Sequence, residues 1–260
     1  MKIGFIGGGN MGEAIIAGVY KDHEICLCEQ DRKKARRLKR QYNACICDIT
    51  CVGQQCDAVV LAVKPQHMEE AARDLAGSIS AKTLVISIAA GITTQWLEKK
   101  LPVKTRVIRA MPNMPAQIGE GITALCKGNN ASRKDLTAAR RLFEAVGQVI
   151  IIEEKMIDAV TAVSGSGPAY VFYFTECLMN AAGSLGFSRK DARELVYQTL
   201  RGSVHQLFLT GEDASSLRQK VTSKGGTTEA AVNVFKKAGM EKIFKKALSA
   251  ARTRSRELSR

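Results

Sequence analysis

Aromatic side chains are scarce in this chain, at 5% of 260 residues, although the formal net charge is +14. Proteins that bind single-stranded nucleic acid interleave basic residues with aromatic rings, and no such module is present. Basic runs such as DRKKARRLKRQ and ARTRSRELSR are typical of solvated helix faces. We therefore expect no nucleic-acid partner, and the excess charge suits a ligand rich in phosphate and carboxylate.

Long apolar runs are also missing. The most apolar stretch, AYVFYFTECLMNAAG, is interrupted by Glu176 and Asn180, short of the roughly 18 residues that a membrane span needs. The opening MKIGFIGGGN lacks the basic and apolar segments of a secretion signal. These features predict no membrane partner and a cytoplasmic location.

The eight cysteines do not indicate a metal site. The C-x-C pairs fall within EICLCE and ACIC, which read as short strands with alternating faces. Structural zinc sites use pairs with a different spacing. We expect small buried or edge thiols and no bound metal.

Short apolar runs alternate with helical patterns in the first part of the chain. KIGFIG, EICLCE, DAVVLAV, TLVISIA and TRVIRAM predict strands, and MEEAARDLAGSI has the apolar spacing of a helix. This alternation predicts an α/β fold with a doubly wound parallel sheet, covered by helices on both faces. Strand signals then stop, so we expect a doubly wound α/β domain in residues 1–153 and an all-α domain in residues 154–260.

One predicted helix of the second domain is apolar almost all round. It follows a break at Gly165, Gly167 and Pro168 and must be buried. Burial against a second subunit and burial in the core of a lone domain are both open at this point.

A glycine fingerprint follows the first predicted strand. Gly7, Gly9 and Gly12 have the G-x-G-x-x-G spacing between that strand and an amphipathic helix, which is typical of dinucleotide binding. Glu29, 22 positions after Gly7, ends the second strand, where a carboxylate hydrogen-bonds to ribose hydroxyls and repels a 2′-phosphate. Arg32 and its neighbour are able to attract that phosphate. The pattern therefore favours NADH as the cofactor without excluding NADPH.

Residues 221–230, VTSKGGTTEA, place two adjacent glycines directly before a helical pattern. The first N–H groups of a helix have no intrahelical partner, so a bare backbone there attracts anions. The alternative is that Gly225 and Gly226 form a turn and that Thr227 or Thr228 caps the helix.

In chain order, GFIGGGNMGEAI, LAVKPQ, SIAAGI, RAMPNMPAQIGEGITAL, DAVTAVSGSGPAY and VTSKGGTT resemble pyrroline-5-carboxylate reductase over nearly the whole chain. SGSGPAY and the Ser-x-Gly-Gly-x-Thr loop are the specific part, because other dehydrogenases share the glycine fingerprint. The resemblance implies a Rossmann domain, a C-terminal all-α dimerisation domain with helices interleaved across a homodimer, and in some members larger rings.

The resemblance also implies roles for individual residues. NADPH or NADH would be the cofactor, and Asn113 would lie near its nicotinamide. The substrate would be bound by the SKGGTT loop, with Thr228 catalytic, and more loosely by Glu154. The implied cofactor-binding residues are Ile6, Gly7, Gly8, Gly9, Asn10, Met11, Gly12, Ala62, Val63, Lys64, Pro65, Ala89 and Ala90, and the implied substrate-binding residues are Ser223, Gly225, Gly226, Thr227 and Thr228.

Two departures stand out against the family. Glu29 and Gln30 replace a small polar residue that is often followed by a basic one, which puts an NADP preference in doubt. Lys224 replaces the usual proline of the substrate loop, which either loosens the turn or adds a cation near the substrate carboxylate.

Lys64, which follows the strand in LAVKPQ, is either a cofactor contact or a solvated charge.

The implied reaction is hydride transfer to the C=N carbon of 1-pyrroline-5-carboxylate, which yields L-proline in the last step of proline biosynthesis. A protonated imine is already electrophilic, so the enzyme must mainly bring two rings together and exclude water. A β-hydroxyacid dehydrogenase would need a lysine that SGSGPAY lacks nearby. A dinucleotide-binding regulator would usually lose the substrate loop, which is intact here except for Lys224.

Overall fold

The strands of the computed structural model, which describes residues 1–80 and 82–259, form one sheet. Its order is β3-β2-β1-β4-β5-β6-β7-β8, and neighbouring strands are parallel except for β6 and β7. The order reverses at β1, so the carboxyl ends of β1 and β4 border a crevice. The strands are β1 (Lys2–Ile6), β2 (Glu24–Cys28), β3 (Cys45–Ile46), β4 (Ala58–Leu61), β5 (Leu84–Ser87), β6 (Arg106–Met111), β7 (Gly121–Lys127) and β8 (Gly147–Ile151).

Helices pack on both faces of this sheet. Successive residues of β4 show the two faces directly, because Val60 belongs to one buried apolar cluster and Val59 to another. Every residue of this strand is buried, as in a parallel sheet covered on both sides. The covering helices are α1 (Asn10–Val19), α2 (Arg32–Tyr42), α3 (Ile49–Gln55), α4 (Met68–Ala76), α5 (Thr94–Lys100) and α6 (Arg133–Glu144).

Helices dominate the chain after β8. A π-helical turn over Thr161–Gly165 separates the first two, at the break that the sequence predicts. Residues 1–168 and 250–260 form one compact unit, and residues 169–249 form a second. The helices are α7 (Ile157–Val160), α8 (Gly167–Ser184), α9 (Arg189–Thr210), α10 (Ala214–Lys220), α11 (Thr227–Lys237) and α12 (Met240–Leu258).

The expected domain boundary after residue 153 stays a prediction, and the two compact units do not divide the chain at that residue. The expected boundary follows the end of the last strand, whereas the first compact unit continues to residue 168 and takes back the last turns of α12. Strand signals mark where the sheet ends, but they carry no information about which helices pack beside it.

Helix α8 is apolar but unburied within one chain. All of its residues are described and none is buried, and Phe172 and Tyr173 are 59% and 68% exposed. Of the two alternatives, burial of this helix in the core of a lone domain is therefore wrong for the single chain. Large apolar side chains on the other helices of the second unit are also exposed, including Phe208, Leu209, Val234, Phe235, Ile243 and Phe244.

Two further sequence features can be compared with the structure. All eight cysteines are free thiols, and Cys26, Cys56 and Cys126 are buried. Across the described residues, no helix is both long and apolar enough to cross a membrane.

Candidate active site

The turn after β1 brings backbone segments together at glycine positions. Gly7 has a φ of +96°, and a Cβ atom there would lie 2.8 Å from the carbonyl oxygen of Ala62. A Cβ atom at Gly12 would lie 2.7 Å from the carbonyl oxygen of Gly7. Both separations are shorter than normal carbon–oxygen contact, so a side chain at either position would push α1 or the residue after β4 away from the turn.

The N-terminus of α1 is open to a ligand. Gly9 is the N-cap residue, and no side chain in the described part of the chain caps the helix. A Cβ atom at Gly9 would meet nothing within 4 Å, so there is free space over the first N–H groups. Unpartnered N–H groups at a helix N-terminus attract phosphate. The residues of this turn therefore fit the pyrophosphate of a dinucleotide.

Glu29, the residue after β2, lies beside this turn. Its carboxylate accepts hydrogen bonds from the backbone N–H of Gly8 and of Asp31, both at 2.9 Å, and from Lys34 Nζ at 3.2 Å. Burial raises the pKa of Glu29, but these donors outweigh it and hold the pKa below its ordinary value. A fixed negative charge therefore lies next to the glycine turn at neutral pH.

A cleft of about 440 Å³ opens at the carboxyl ends of β1, β2 and β4. Its lining includes seven of the predicted cofactor residues: Ile6, Gly7, Gly9, Glu29, Ala62, Val63 and Lys64. The remaining predicted cofactor residues do not line it: Gly8, Asn10, Met11, Gly12, Arg32, Pro65, Ala89, Ala90 and Asn113. Roles in cofactor binding stay predictions for both groups.

The cleft also has a lining that sequence reasoning did not single out. These residues are Cys28, Gln30, Lys34, Ile49, His67, Glu70, Ala71 and Asp74. Cys28 ends β2 and Gln30 lies just after it, where ligands bind in open α/β sheets, so this strand end was an available signal. Glu70, Ala71 and Asp74 belong to α4, a helix that packs on one face of the sheet, and the strand ends do not single them out.

The loop after β5, residues 88–93, lies beside the loop after β4. The N–H of Ile88 donates to the carbonyl of Leu61 at 3.2 Å, which extends the pairing of the two strands. Ala89 is buried, and its N–H donates to Ser87 Oγ at 3.3 Å. The predicted cofactor residues Ala89 and Ala90 are thus adjacent to the side of the cleft that Ala62 forms.

Asn113 follows β6 and is engaged by its own chain. Its Oδ1 accepts a hydrogen bond from the N–H of Ile122 at 2.9 Å, and it is the N-cap of a 3₁₀ turn over Met114–Ile118. Its side chain therefore joins β6 to β7. The predicted position of Asn113 near the nicotinamide stays a prediction.

Glu154 is held within the first compact unit. Its carboxylate accepts hydrogen bonds from the N–H of Thr94 at 2.8 Å, from the Thr94 hydroxyl, and from Arg109 Nη1 at 3.1 Å. Arg109 is only 3% exposed, so this ion pair neutralises a buried charge. The contacts fix the start of α5, and the predicted contact of Glu154 with substrate stays a prediction.

The SKGGTT loop forms a tight turn directly before α11. The N–H of Gly226 donates to the carbonyl of Ser223 at 3.0 Å, and Gly225 has a φ of +73°. A positive φ at the third residue of a turn requires glycine in practice. Lys224 stands at the second position, where proline is favoured, so the turn forms without the proline that the resemblance predicts.

Helix α11 begins with a bare backbone. Gly226 is the N-cap residue, and among the described residues no side chain caps the helix. The alternative that Thr227 or Thr228 caps α11 is therefore wrong, because both lie inside its first turn. The N–H of Gly225, just before the N-cap, donates to the carboxylate of Glu229 at 2.7 Å, so this donor is engaged by a side chain of α11 itself.

Known proteins match both parts of the chain. Residues 154–258 match the family model described as pyrroline-5-carboxylate reductase dimerisation, and residues 2–91 match the one described as NADP oxidoreductase coenzyme F420-dependent. The chain is 37% identical to a pyrroline-5-carboxylate reductase of Mycobacterium tuberculosis, over 99% of this chain and 96% of that relative. This chain belongs to the pyrroline-5-carboxylate reductase family.

Solved structures of pyrroline-5-carboxylate reductases have the same fold. The structure from Coxiella burnetii gives a TM-score of 0.93 at 37% identity, covering 99% of this chain and 98% of that one. The Plasmodium falciparum structure, which has NADP bound, gives 0.88 at 28% identity, covering 100% of this chain and 98% of that one. The predicted family and the predicted fold class are confirmed.

Proposed function

We propose that this chain reduces the C=N bond of 1-pyrroline-5-carboxylate to L-proline with NADH or NADPH, the last step of proline biosynthesis. One observation carries the proposal. A single chain of the pyrroline-5-carboxylate reductase family has two helices that begin at a glycine N-cap, α1 after the fingerprint turn and α11 after the SKGGTT turn. The first fits a pyrophosphate and the second fits a small carboxylate.

On the cofactor side, the first turn of α1 would hold the pyrophosphate, and residues after β4 would line the groove. When bound, the cofactor supplies the hydride. Glu29 places a negative charge where the adenosine ribose is expected, so we infer a preference for NADH over NADPH. The neighbouring Arg32 is exposed and offers a 2′-phosphate some compensation.

On the substrate side, the N–H groups that open α11 would bind the substrate carboxylate, with the exposed Lys224 nearby as a further cation. Thr228, which is half-buried in the first turn, would hydrogen-bond to the ring nitrogen. No strong acid is required of the chain, because the protonated imine accepts a hydride directly. The work of the residues is to orient the ring and to exclude water.

The decisive experiment follows NADH and NADPH oxidation separately with 1-pyrroline-5-carboxylate. Turnover is expected with both cofactors, and the product is L-proline. A regulator that binds dinucleotide would bind NADH, which quenching of its protein fluorescence would show, but it would not oxidise NADH in the presence of the imine. A β-hydroxyacid dehydrogenase would oxidise a hydroxy acid and ignore the imine.

Thr228→Ala tests the catalytic assignment. Loss of one hydrogen bond to a charged group is expected to lower kcat/KM for the imine by about tenfold to hundredfold, while NADH binding persists. Thr137→Ala is the matched control, because Thr137 is an exposed threonine of α6 whose hydroxyl bonds only its own helix in the hydrogen bonds described. Normal kcat/KM in Thr228→Ala would remove the role assigned to Thr228.

The proposal also covers the oligomeric state of the protein and its location in the cell. The family match supplies a dimerisation region over residues 154–258, and we infer a homodimer with interleaved helices, with larger rings as a further step. The exposed apolar face of α8 supports this inference. We also place the protein in the cytoplasm, which cell fractionation tests.

A further inference from the structure

The last turns of α12 belong to the sheet-containing unit. Residues 250–260 cluster with residues 1–168, although α12 begins in the second unit. Ser255 is the one buried residue of α12 in the described chain, at 7% exposure. A buried hydroxyl needs a hydrogen-bond partner, and here the partner lies 97 positions away in the sequence.

That partner is Asp158 in α7. The Ser255 hydroxyl donates to Asp158 Oδ1 at 2.7 Å, and the Ser259 hydroxyl lies 3.4 Å from the same oxygen. Arg256 Nε is 4.0 Å from Oδ2, and the Asp158 side chain is only 20% exposed. The carboxylate therefore contacts two side chains of the last turn of α12 and that of Ser259 just after it, and these contacts fix where the turn lies.

The last turn of α12 packs against the loop after β5. A Cβ atom at Gly91 would lie 2.5 Å from the carbonyl oxygen of Leu258 and 3.0 Å from its carbonyl carbon. Gly91 has a φ of +75° and is buried. The backbone at Gly91 thus packs directly on the end of α12, at a distance that only glycine permits.

The C-terminal end of the same loop is held by Glu154. Glu154 accepts hydrogen bonds from Thr94 at the start of α5, and Asp158 lies one helical turn further along the chain. One short helical segment after β8 therefore fixes the loop over residues 88–93 at two points, at its C-terminal end directly through Glu154 and at Gly91 in its middle by way of Asp158 and α12. The start of the loop lies beside the residues after β4 that line the cleft.

We propose that Asp158 and Ser255 are positioning residues for the dinucleotide: through the last turn of α12, they hold the loop after β5 in the shape that cofactor binding requires. This inference rests on the proposed function, because it takes the cleft to be the dinucleotide site. Neither residue lines the cleft, so their effect would pass through Leu258 and Gly91.

The test measures NADH affinity without turnover. The chain has one tryptophan, Trp96 in α5, three residues beyond the loop, so its fluorescence reports both NADH binding and the state of the loop. Ser255→Ala is expected to raise the Kd for NADH about fivefold, which corresponds to the net value of one hydrogen bond. The KM for the imine should stay close to that of the parent, and Ser255→Thr should restore the affinity for NADH.

Ser249→Ala is the matched control, because Ser249 is an exposed serine of the same helix. It should leave the Kd unchanged. An unchanged Kd in Ser255→Ala, or a loss of Tm with equal increases in both KM values, would overturn the proposal. Because binding is read directly, a chain that binds NADH but does not reduce the imine would count against the proposed function and not against this inference.

A double-mutant cycle keeps the proposal testable if a single variant is unstable. Gly91→Ala should weaken NADH binding strongly in the parent chain, since its methyl group meets the carbonyl of Leu258. In the Ser255→Ala background the last turn can yield, so the added effect of Gly91→Ala should be smaller. If the fold-change in Kd of the double variant equals the product of the fold-changes of the two single variants, Ser255 does not act through Gly91.

Discussion

At the residue scale, Glu29 shows how one side chain serves structure and selectivity together. Its carboxylate ties the glycine turn at Gly8 to the start of α2 at Asp31. The same contacts hold its pKa below the ordinary range, so the charge that would oppose a 2′-phosphate is permanent at neutral pH. Lys34 accompanies it at 3.2 Å and offsets part of that charge.

Glu29→Ser should shift selectivity toward NADPH. Removing one negative charge a few ångströms from the phosphate is expected to change the NADPH to NADH ratio of kcat/KM about tenfold. Steady-state kinetics with both cofactors measures the ratio, and Glu24→Ser is the control, because Glu24 is an exposed carboxylate at the other end of the same strand. An unchanged ratio would mean that Glu29 does not face the ribose.

At the element scale, helix starts divide into capped and bare ones. Helix α6 begins with a capping box in which Ser132 and Asp135 satisfy each other's backbone N–H groups. Helices α1 and α11 begin at glycine N-caps, with no side-chain cap among the described residues. A capped start has already satisfied its N–H groups, whereas a bare start keeps them available for a ligand. The contrast supports assigning the phosphate and carboxylate contacts to α1 and α11.

The capped start of α6 gives a stability prediction with a defined pH dependence. Asp135 is 5% exposed and pairs with Arg106 at 2.6 Å. Burial raises its pKa, but Ser132 and Arg106 outweigh this effect and lower it. A lowered pKa contributes stability above the unfolded-state value of about 4, and that contribution is lost as the pH falls through the folded-state value.

Asp135→Asn should therefore cost about 1–3 kcal/mol in the free energy of unfolding at pH 7, with a smaller difference from the parent below about pH 4. Urea unfolding at several pH values measures both. Glu144→Gln on the same helix is the control, because its ion pair with Arg140 is exposed and should contribute little. A difference that stays constant down to pH 3 would show that folding does not lower the pKa of Asp135.

At the scale of the whole molecule, the two units differ in whether they bury their apolar side chains. The sheet unit buries two large apolar clusters. In the second unit, α8, α10 and α11 have no buried residue, and these helices lie wholly within the described part of the chain. A surface with Phe172, Tyr173 and Phe208 this exposed is far more apolar than a monomer usually tolerates.

The proposed dimer predicts a particle of at least twice the chain mass of 28.2 kDa in solution. Phe208→Glu, at a side chain that is 81% exposed in one chain, should shift the particle toward monomer and lower activity with it, because a buried unpaired charge opposes association. Light scattering measures the mass. Val103→Glu is the control, at an 86% exposed apolar side chain of the sheet unit. A monomeric parent would contradict the proposed assembly.

Much of this molecule was predictable from local pattern. The strands, the break near Gly165, the glycine turn at Gly7 and the helix start after Gly226 each depend on residues close together in the sequence. Glu154 was predictable only by resemblance, and its contacts with Thr94 and Arg109 were not predictable at all. Those contacts join residues 60 and 45 positions apart, and no periodicity encodes such pairs.

The order of residues dictates the alternation of strands and helices and the two bare helix starts, since backbone geometry and capping act over a few positions. The return of the last turn of α12 to Gly91, and the bond between Ser255 and Asp158, depend on how the folded chain packs. A serine in a charged C-terminal helix has no local reason to be buried. Its partner exists only after the sheet has brought the segment after β8 beside the loop after β5.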